Sequence, residues 1–194
     1  MGNFSRKVLL GVAVVITATS AAFMTVGTAA TAATATTAAP QARAAHAAPA
    51  LSAQDPLSWP TVVEGNRGER VVAIQYLLNQ RIGAGLATDG VFGPLTLRAV
   101  RNFQSRFHLL VDGKVGPQTW THLIIQVQRG SRGPAVSAVQ HNLRFAYGFS
   151  TLAVDGIFGP ITQGAVRSFQ TRFRIGVDGI VGPITWNTLV VHEG

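Results

Sequence analysis

The sequence contains no cysteine, and only 8 of its 194 residues are acidic. The lack of thiols excludes disulfides, a cysteine nucleophile, a cysteine zinc site and a lipid-modified N-terminal cysteine. The 5 histidines show no His-x-x-x-His or His-x-x-Glu spacing, and no Gly-x-Ser-x-Gly motif occurs. The usual signatures of metal-dependent and serine hydrolases are therefore absent from the sequence, and we expect no metal site and no cofactor.

The first fifty residues differ in composition from the rest. Arg6 and Lys7 precede an apolar run, and no charged residue occurs from position 8 to position 42. A basic start, an apolar run and small-residue cleavage sites predict a secretory signal peptide and an Ala/Thr/Pro-rich leader over residues 1–50. Cleavage would give a secreted, extracellular or wall-associated protein with no stable membrane insertion. An uncleaved anchor is the alternative, because the uncharged stretch is long enough to span a bilayer.

The remainder of the chain is organised around an eight-residue pattern, Asp-Gly-x-(Phe/Val)-Gly-Pro-x-Thr. It begins at Asp89, Asp112, Asp155 and Asp178, with the same spacing inside each half, so it contains half of all the acidic residues. Asp-Gly favours a tight turn, because Asp can bond to its own backbone and Gly accepts a positive φ. Gly-Pro favours a helix start, because proline is well tolerated in a first helical turn. Each copy is therefore predicted to be a turn that leads into a helix.

Apolar residues at helical spacing follow each turn and also precede the first turn of each half. They predict helices over residues 69–80, 94–109 and 117–125, and three equivalent helices in the second half, the last over 183–191. The predicted fold class is all-α, with one three-helix module over residues 59–127 and a second over residues 128–194. The connection between the modules is short, so we expect them to touch.

The order of these motifs resembles a known family. Each half contains Gly-x-x-Gly-x-x-Val-x-x-(Ile/Val)-Gln, then an Asp-Gly turn, then Ala-Val-Arg-x-Phe-Gln, a second turn and Thr-Trp. This layout, covering residues 65–191, is similar to the three-helix peptidoglycan-binding domain, an accessory module of bacterial wall hydrolases and carboxypeptidases. The resemblance implies a non-catalytic bundle that holds wall glycan or stem peptide beside the Asp-Gly turns. A docking subunit that recruits or targets a cell-wall hydrolase is the alternative.

Polar residues that recur in both modules are the candidate ligand-binding residues. They are Asp89, Asp155, Asp112, Asp178, Arg101, Arg167, Arg106, Arg172, Gln104 and Gln170. Carboxylates can accept hydrogen bonds from sugar hydroxyls or peptide amines, and a guanidinium matches a carboxylate bidentately. The competing interpretation is structural: the aspartates cap their own turns, and the glutamines tie a helix to loop backbone. The arginines would then form a solvated face.

Other recurring residues are predicted to be structural. The threonine that ends each motif is expected to cap a helix. Trp120 and Trp186 could stack on sugars, but their spacing with Leu123 and Leu189 favours a place in the core. Trp59 has no counterpart in the second module and is expected to close the end of the first.

The basic charge suits an anionic partner, since the chain carries 16 Lys and Arg residues and a net charge of +8. Nucleic acid is nevertheless excluded here, because the predicted signal peptide directs export and neither third helix carries a basic cluster. A pair of aspartates could serve a glycosidase. Each aspartate, however, has a turn role and a duplicate in the other module, so we expect no enzyme.

Overall fold

The computed structural model describes residues 57–192, which carry all four motifs. The predicted signal peptide and leader lie outside the described residues. Six helices follow one another: α1 (Glu69–Ile82), α2 (Pro94–Arg106), α3 (Pro117–Leu123), α4 (Pro134–Phe145), α5 (Pro160–Arg172) and α6 (Pro183–Val191). Within this segment, extended pairing is limited to isolated bridges. The predicted all-α class with two three-helix modules is confirmed.

The helices begin where the sequence predicts, each preceded by a glycine, and five of the six start with proline. The prediction that the motif threonines cap these helices is wrong. In α2 the N-cap residue is Gly93 and no side chain caps the helix. The hydroxyl of Thr96 instead donates to the carbonyl oxygen of Val91, inside the preceding turn, at 3.4 Å. The threonine therefore ties the helix to the turn.

Helix α2 ends earlier than predicted, at Arg106 instead of residue 109. His108 adopts a left-handed conformation with φ 54°, and the N–H of Leu109 donates to the carbonyl of Gln104 at 2.8 Å. Together with a bond from the N–H of His108 to Ser105, this is a Schellman end. The second module repeats it at Arg174. Neither position is a glycine, so the usual sequence signal for this helix end is missing.

Each module closes around a tryptophan. Trp120 and Trp186 are fully buried, and their indole N–H groups donate to backbone carbonyls, of Pro60 and Ile125 respectively, both at 2.8 Å. Trp59 stacks on Trp120 with ring centroids 5.5 Å apart. The tryptophans therefore belong to the core, as their spacing predicts, and Trp59 covers the end of the first module.

The two modules share one hydrophobic core, and α1 packs most extensively against α4. Glu69 of α1 lies 2.6 Å from His141 of α4, and Arg70 donates to the carbonyl of Val190 in α6. Val72 and Leu77 are buried as well as Val71, Ile74 and Leu78, so α1 is covered on more than one side. The expectation that the modules touch is confirmed.

Candidate functional site

A buried glutamine from the preceding helix holds each Asp-Gly turn. In the second turn of module 1, Gln104 Nε2 donates to Asp112 Oδ1 and to the carbonyl of Lys114, each at 2.9 Å. Gln104 Oε1 accepts the N–H of Gly113 at 2.9 Å, and Thr119 Oγ1 lies 3.2 Å from Nε2. One amide thus satisfies groups on both sides of the turn. We call this arrangement the turn bracket.

The turn bracket occurs four times. The other three sets are Gln75, Asp89, Gly90 and Thr96; Gln140, Asp155, Gly156 and Thr162; and Gln170, Asp178, Gly179 and Thr185. In every copy, Oδ1 of the aspartate also accepts the N–H of the residue two positions on. This is an Asx-type turn, in which the side chain replaces a backbone acceptor. The repeated motif therefore encodes a rigid, internally satisfied turn.

These hydrogen bonds favour the ionised form of Asp89, Asp112 and Asp155. The N–H of Val91, followed by the amide of Gln75, lowers the pKa of Asp89 below its usual value of 3.8. The N–H of Ile157 acts in the same way on the pKa of Asp155. For Asp112, the N–H of Lys114 lowers the pKa, partly offset by burial. Since the brackets use Oδ1 and the aspartates are exposed, Oδ2 is left to face solvent.

An open groove lies beside the second turn of each module. The groove of module 1 has a volume of about 240 Å³ and is lined by Leu110, Asp112 and Gln118, among others. The groove of module 2 has a volume of about 260 Å³, and Asp178 lines it at the equivalent position. Exposed apolar residues precede both aspartates: Val111 is 51% exposed and Val177 53%. We call these two features the second-turn grooves.

Arg101 and Arg167 lie against the turns that border these grooves. A Cβ atom placed on Gly113 would lie 3.1 Å from Arg101 Nε, and one placed on Gly179 would lie 2.8 Å from Arg167 Nε. Both glycines also have positive φ, at 75° and 74°. The positive φ therefore favours glycine at both positions, and an added Cβ would also crowd the arginine side chain. Each module thus places an arginine side chain against the glycine that follows a bracketed aspartate, at the border of the groove.

The second arginine pair does not share surroundings. Arg106 is exposed and makes no hydrogen bond or ion pair with another described residue. Arg172 donates to the carbonyl of Tyr147 at 3.4 Å and lies over the ring of Phe173, 5.7 Å from its centroid. The structure therefore separates these two residues, which the repeat makes equivalent.

The glutamines occupy structural positions. Gln104 is 1% exposed and Gln170 is fully buried, and both amide atoms of each are hydrogen bonded inside the turn bracket. Direct ligand contact by these two residues stays a prediction, against which their burial counts. The contact of the aspartates and arginines with a ligand stays a prediction as well.

A further hollow in module 1 was not indicated by the repeats. It lies between α2 and the loop over residues 83–86, and its lining includes Leu95, Arg98 and Asn102. The positions equivalent to Arg98 and Asn102 in module 2 are Gly164 and Ser168. These two differences between the halves are the sequence signal that could have indicated the hollow. We call this feature the loop hollow.

Two general properties of the described segment bear on function. Between residues 57 and 192, no group of three His, Asp or Glu side chains is placed to hold a metal ion. Over the same residues, no helix combines the length and the apolar character needed to cross a bilayer.

The model of the peptidoglycan binding domain family matches the chain twice, over residues 67–123 and 132–189. The chain therefore belongs to the peptidoglycan-binding domain family and carries two copies in tandem.

Two proteins are similar to this chain over one stretch each. It is 43% identical over 65 residues to the zinc D-Ala-D-Ala carboxypeptidase of Streptomyces albus G, a stretch that covers 32% of this chain and 26% of the relative. It is 41% identical over 75 residues to an uncharacterized protein of Kitasatospora aureofaciens, covering 38% and 64%. The chain thus spans less than two thirds of either relative.

Two solved structures are also similar. One is a peptidoglycan-binding protein from Clostridioides difficile in complex with glutamine hydroxamate, with 38% identity, coverage of 33% of this chain and 40% of that chain, and a TM-score of 0.32. The other is the SleB N-terminal domain, with 39% identity, coverage of 37% and 96%, and a TM-score of 0.35.

Proposed function

We propose that this protein binds bacterial cell-wall peptidoglycan through its two second-turn grooves and catalyses no reaction itself. One observation carries the proposal: the groove recurs in both modules, each time beside a bracketed aspartate and a neighbouring arginine. The turn bracket fixes the backbone of the turn, so the groove is formed before a ligand arrives. A preformed site loses less conformational entropy on binding. Membership of the family supports the choice of ligand.

The side chains at each groove suit the polymer's chemistry. The outward oxygen of Asp112 or Asp178 can accept a hydrogen bond from a sugar hydroxyl or a peptide N–H. The guanidinium of Arg101 or Arg167 can bind a peptide carboxylate. The exposed side chain of Leu110, which lines the groove of module 1, can pack on the C–H face of a sugar or on an alanine methyl group. These groups recognise and hold a ligand, and none of them is activated for bond cleavage.

The electrostatics of the aspartates support a role in binding. A glycosidase needs one carboxylic acid with a raised pKa, so that it can donate a proton near neutral pH. The pKa values of Asp89, Asp112 and Asp155 are shifted in the opposite direction, by hydrogen bonds that favour the carboxylate. These three residues are therefore poorly suited to act as general acids.

The packing of α1 against α4 joins the two grooves in one body. When one groove binds a polymer, the other is held near further copies of the same unit, which raises its effective concentration. Two weak sites would then act together on the wall. A secreted or wall-associated location follows from this function and from the predicted signal peptide. Recruitment of a wall hydrolase is the second candidate function, favoured by the carboxypeptidase that is similar to this chain over 65 residues.

Sedimentation with purified, insoluble peptidoglycan from which anionic polymers have been stripped tests this proposal. We expect residues 51–194 to sediment with the wall and to leave the turbidity of the suspension unchanged. Arg101→Gln and Arg167→Gln should each weaken binding a few-fold, and the double variant should weaken it more than either. Arg129→Gln, at an exposed arginine outside both grooves, is the matched control.

The outcomes separate the parts of the proposal. Clearing of the suspension would show catalysis and overturn the non-catalytic assignment. No sedimentation would overturn wall binding and favour the docking alternative. Full binding by the double arginine variant would move the site away from the second-turn grooves. Point variants are preferred to single modules, because separating α1 from α4 would expose a buried helix face.

A further inference from the structure

Hydrogen bonds from a helix side chain hold the loop that borders the loop hollow. Its loop is held by Asn79, whose Oδ1 accepts the N–H of Leu86 at 2.7 Å and whose Nδ2 donates to the Leu86 carbonyl at 2.9 Å. Gly83 and Gly85 both adopt left-handed conformations, with φ 61° and 63°. The hollow encloses about 260 Å³ between this loop and α2. It is comparable in size with the second-turn grooves but separate from their turns.

The polar groups around the loop hollow include several donors without partners. The side chains of Arg98 and Asn102 are exposed and make no hydrogen bond or ion pair within the part of the chain that the structure describes. The backbone N–H groups of Ala84 and Gly85 donate to no acceptor in that part either. No acidic residue lines the hollow. Backbone N–H groups in turn conformations, next to a cation, form a concavity that suits an anion.

Module 2 does not repeat this chemistry. Gly164 and Ser168 stand where module 1 has Arg98 and Asn102, so the guanidinium is missing. The corresponding loop carries Tyr147, which is buried, and Phe149, which packs against the core. Any recognition by the loop hollow therefore belongs to module 1 alone.

We propose that the loop hollow is a carboxylate-binding subsite for the C-terminal end of a short peptide, with Arg98 as its charged group. A guanidinium can hold both oxygens of a carboxylate, and the amide of Asn102 can add a further donor. Leu95, which is 65% exposed, borders the hollow and offers an apolar contact to the side chain of the terminal residue. This deepens the proposed function, because wall stem peptides end in carboxylates, and it makes the two modules unequal in what they recognise.

Titration of ¹⁵N-labelled residues 51–194 with N-acetyl-alanyl-alanine, followed by amide chemical shifts, tests the proposal. We expect saturable shifts at Ala84, Gly85 and Asn102. The same dipeptide with a C-terminal amide should bind about tenfold more weakly, because it lacks the charge that the guanidinium recognises. Arg98→Gln should weaken binding of the carboxylate form by a similar factor, and Arg129→Gln should leave it unchanged.

Three results would overturn the proposal: equal affinity for the carboxylate and amide forms, unchanged affinity in Arg98→Gln, or equal affinity for inorganic phosphate. Arg98 is exposed and unpaired, so its replacement is expected to leave thermal unfolding unchanged. The test is independent of wall binding. If the unsubstituted protein and Arg98→Gln both sediment with peptidoglycan but neither binds the dipeptide, only the proposal of this subsite is wrong. If the dipeptide binds and nothing sediments, only the proposed function is wrong.

Discussion

Replacement of Gln104 by methionine tests the structural role of the turn bracket. Methionine keeps the length of the side chain but cannot form the four hydrogen-bond contacts that Gln104 makes in the turn. The N–H of Gly113, a buried residue, then loses its partner, whereas the carbonyl of Lys114 keeps the hydroxyl of Thr119 as a donor. Asp112 is exposed, so its carboxylate can be rehydrated at little cost.

The expected loss follows from the buried N–H of Gly113. An unsatisfied buried donor or acceptor costs about 1–3 kcal/mol. We therefore expect Gln104→Met to lower the free energy of unfolding by about 1–3 kcal/mol, which is a large share of the roughly 5–15 kcal/mol typical of a folded domain. The corresponding fall in melting temperature is on the order of 3–12 °C.

Urea unfolding followed by tryptophan fluorescence measures this change, because Trp120 and Trp186 are fully buried in the folded protein. Gln128→Met, at an exposed glutamine outside the brackets, is the control and should change the free energy by less than about 0.5 kcal/mol. A loss as small as this in Gln104→Met would refute the structural account of the turn bracket. It would also return Gln104 to the candidates for direct ligand contact.

Acid and glycine substitutions test the same turns in other ways. Because hydrogen bonds lower the folded-state pKa values of Asp89, Asp112 and Asp155 below 3.8, the stability they provide is complete above that value and is lost as the pH falls through the lower folded values. Urea unfolding between pH 7 and pH 2 should show this loss, and Asp112→Asn should reduce it; an unchanged pH profile would contradict it. Gly113→Ala should cost roughly 1–3 kcal/mol, because its φ is positive and the new Cβ would lie 2.5 Å from a Leu97 methyl carbon. Gly116→Ala, where φ is negative and the new Cβ would meet only an ordinary contact with Thr61 at 3.9 Å, should cost far less, and equal costs would contradict this account of Gly113.

Much of the local structure could be predicted from single residues and their spacing. Proline after glycine marks the start of α2 and of α5, because proline suits a first helical turn in any context. Asp-Gly marks the turns for the same local reason. The end of α2 could not be predicted, because His108 adopts the left-handed conformation without being a glycine. Leu109, the residue that follows, packs against the core, a tertiary contact that no local sequence signal indicates.

The candidate site was predictable in its members but not in their arrangement. The repeats identify Asp112, Arg101 and Gln104 as residues worth attention. They do not say that Gln104 is buried with both amide atoms engaged, while an oxygen of Asp112 faces outward. That division depends on the register between helix and turn in three dimensions. The loop hollow was not predicted, because the candidates were chosen among residues that recur in both modules, and Arg98 and Asn102 occur in module 1 alone.

The repeated turns, the order of the six helices and the family could all be read from residue types and spacing, since these depend on conformational preferences of individual residues and on regular repetition. The packing of α1 against α4, which unites the modules around one core, became evident only in three dimensions. The same holds for the divergence of Arg172 from Arg106. The physical reason is that packing partners are selected by the shape of whole assembled surfaces. Two similar apolar helix faces have no local signal that specifies which neighbour covers them.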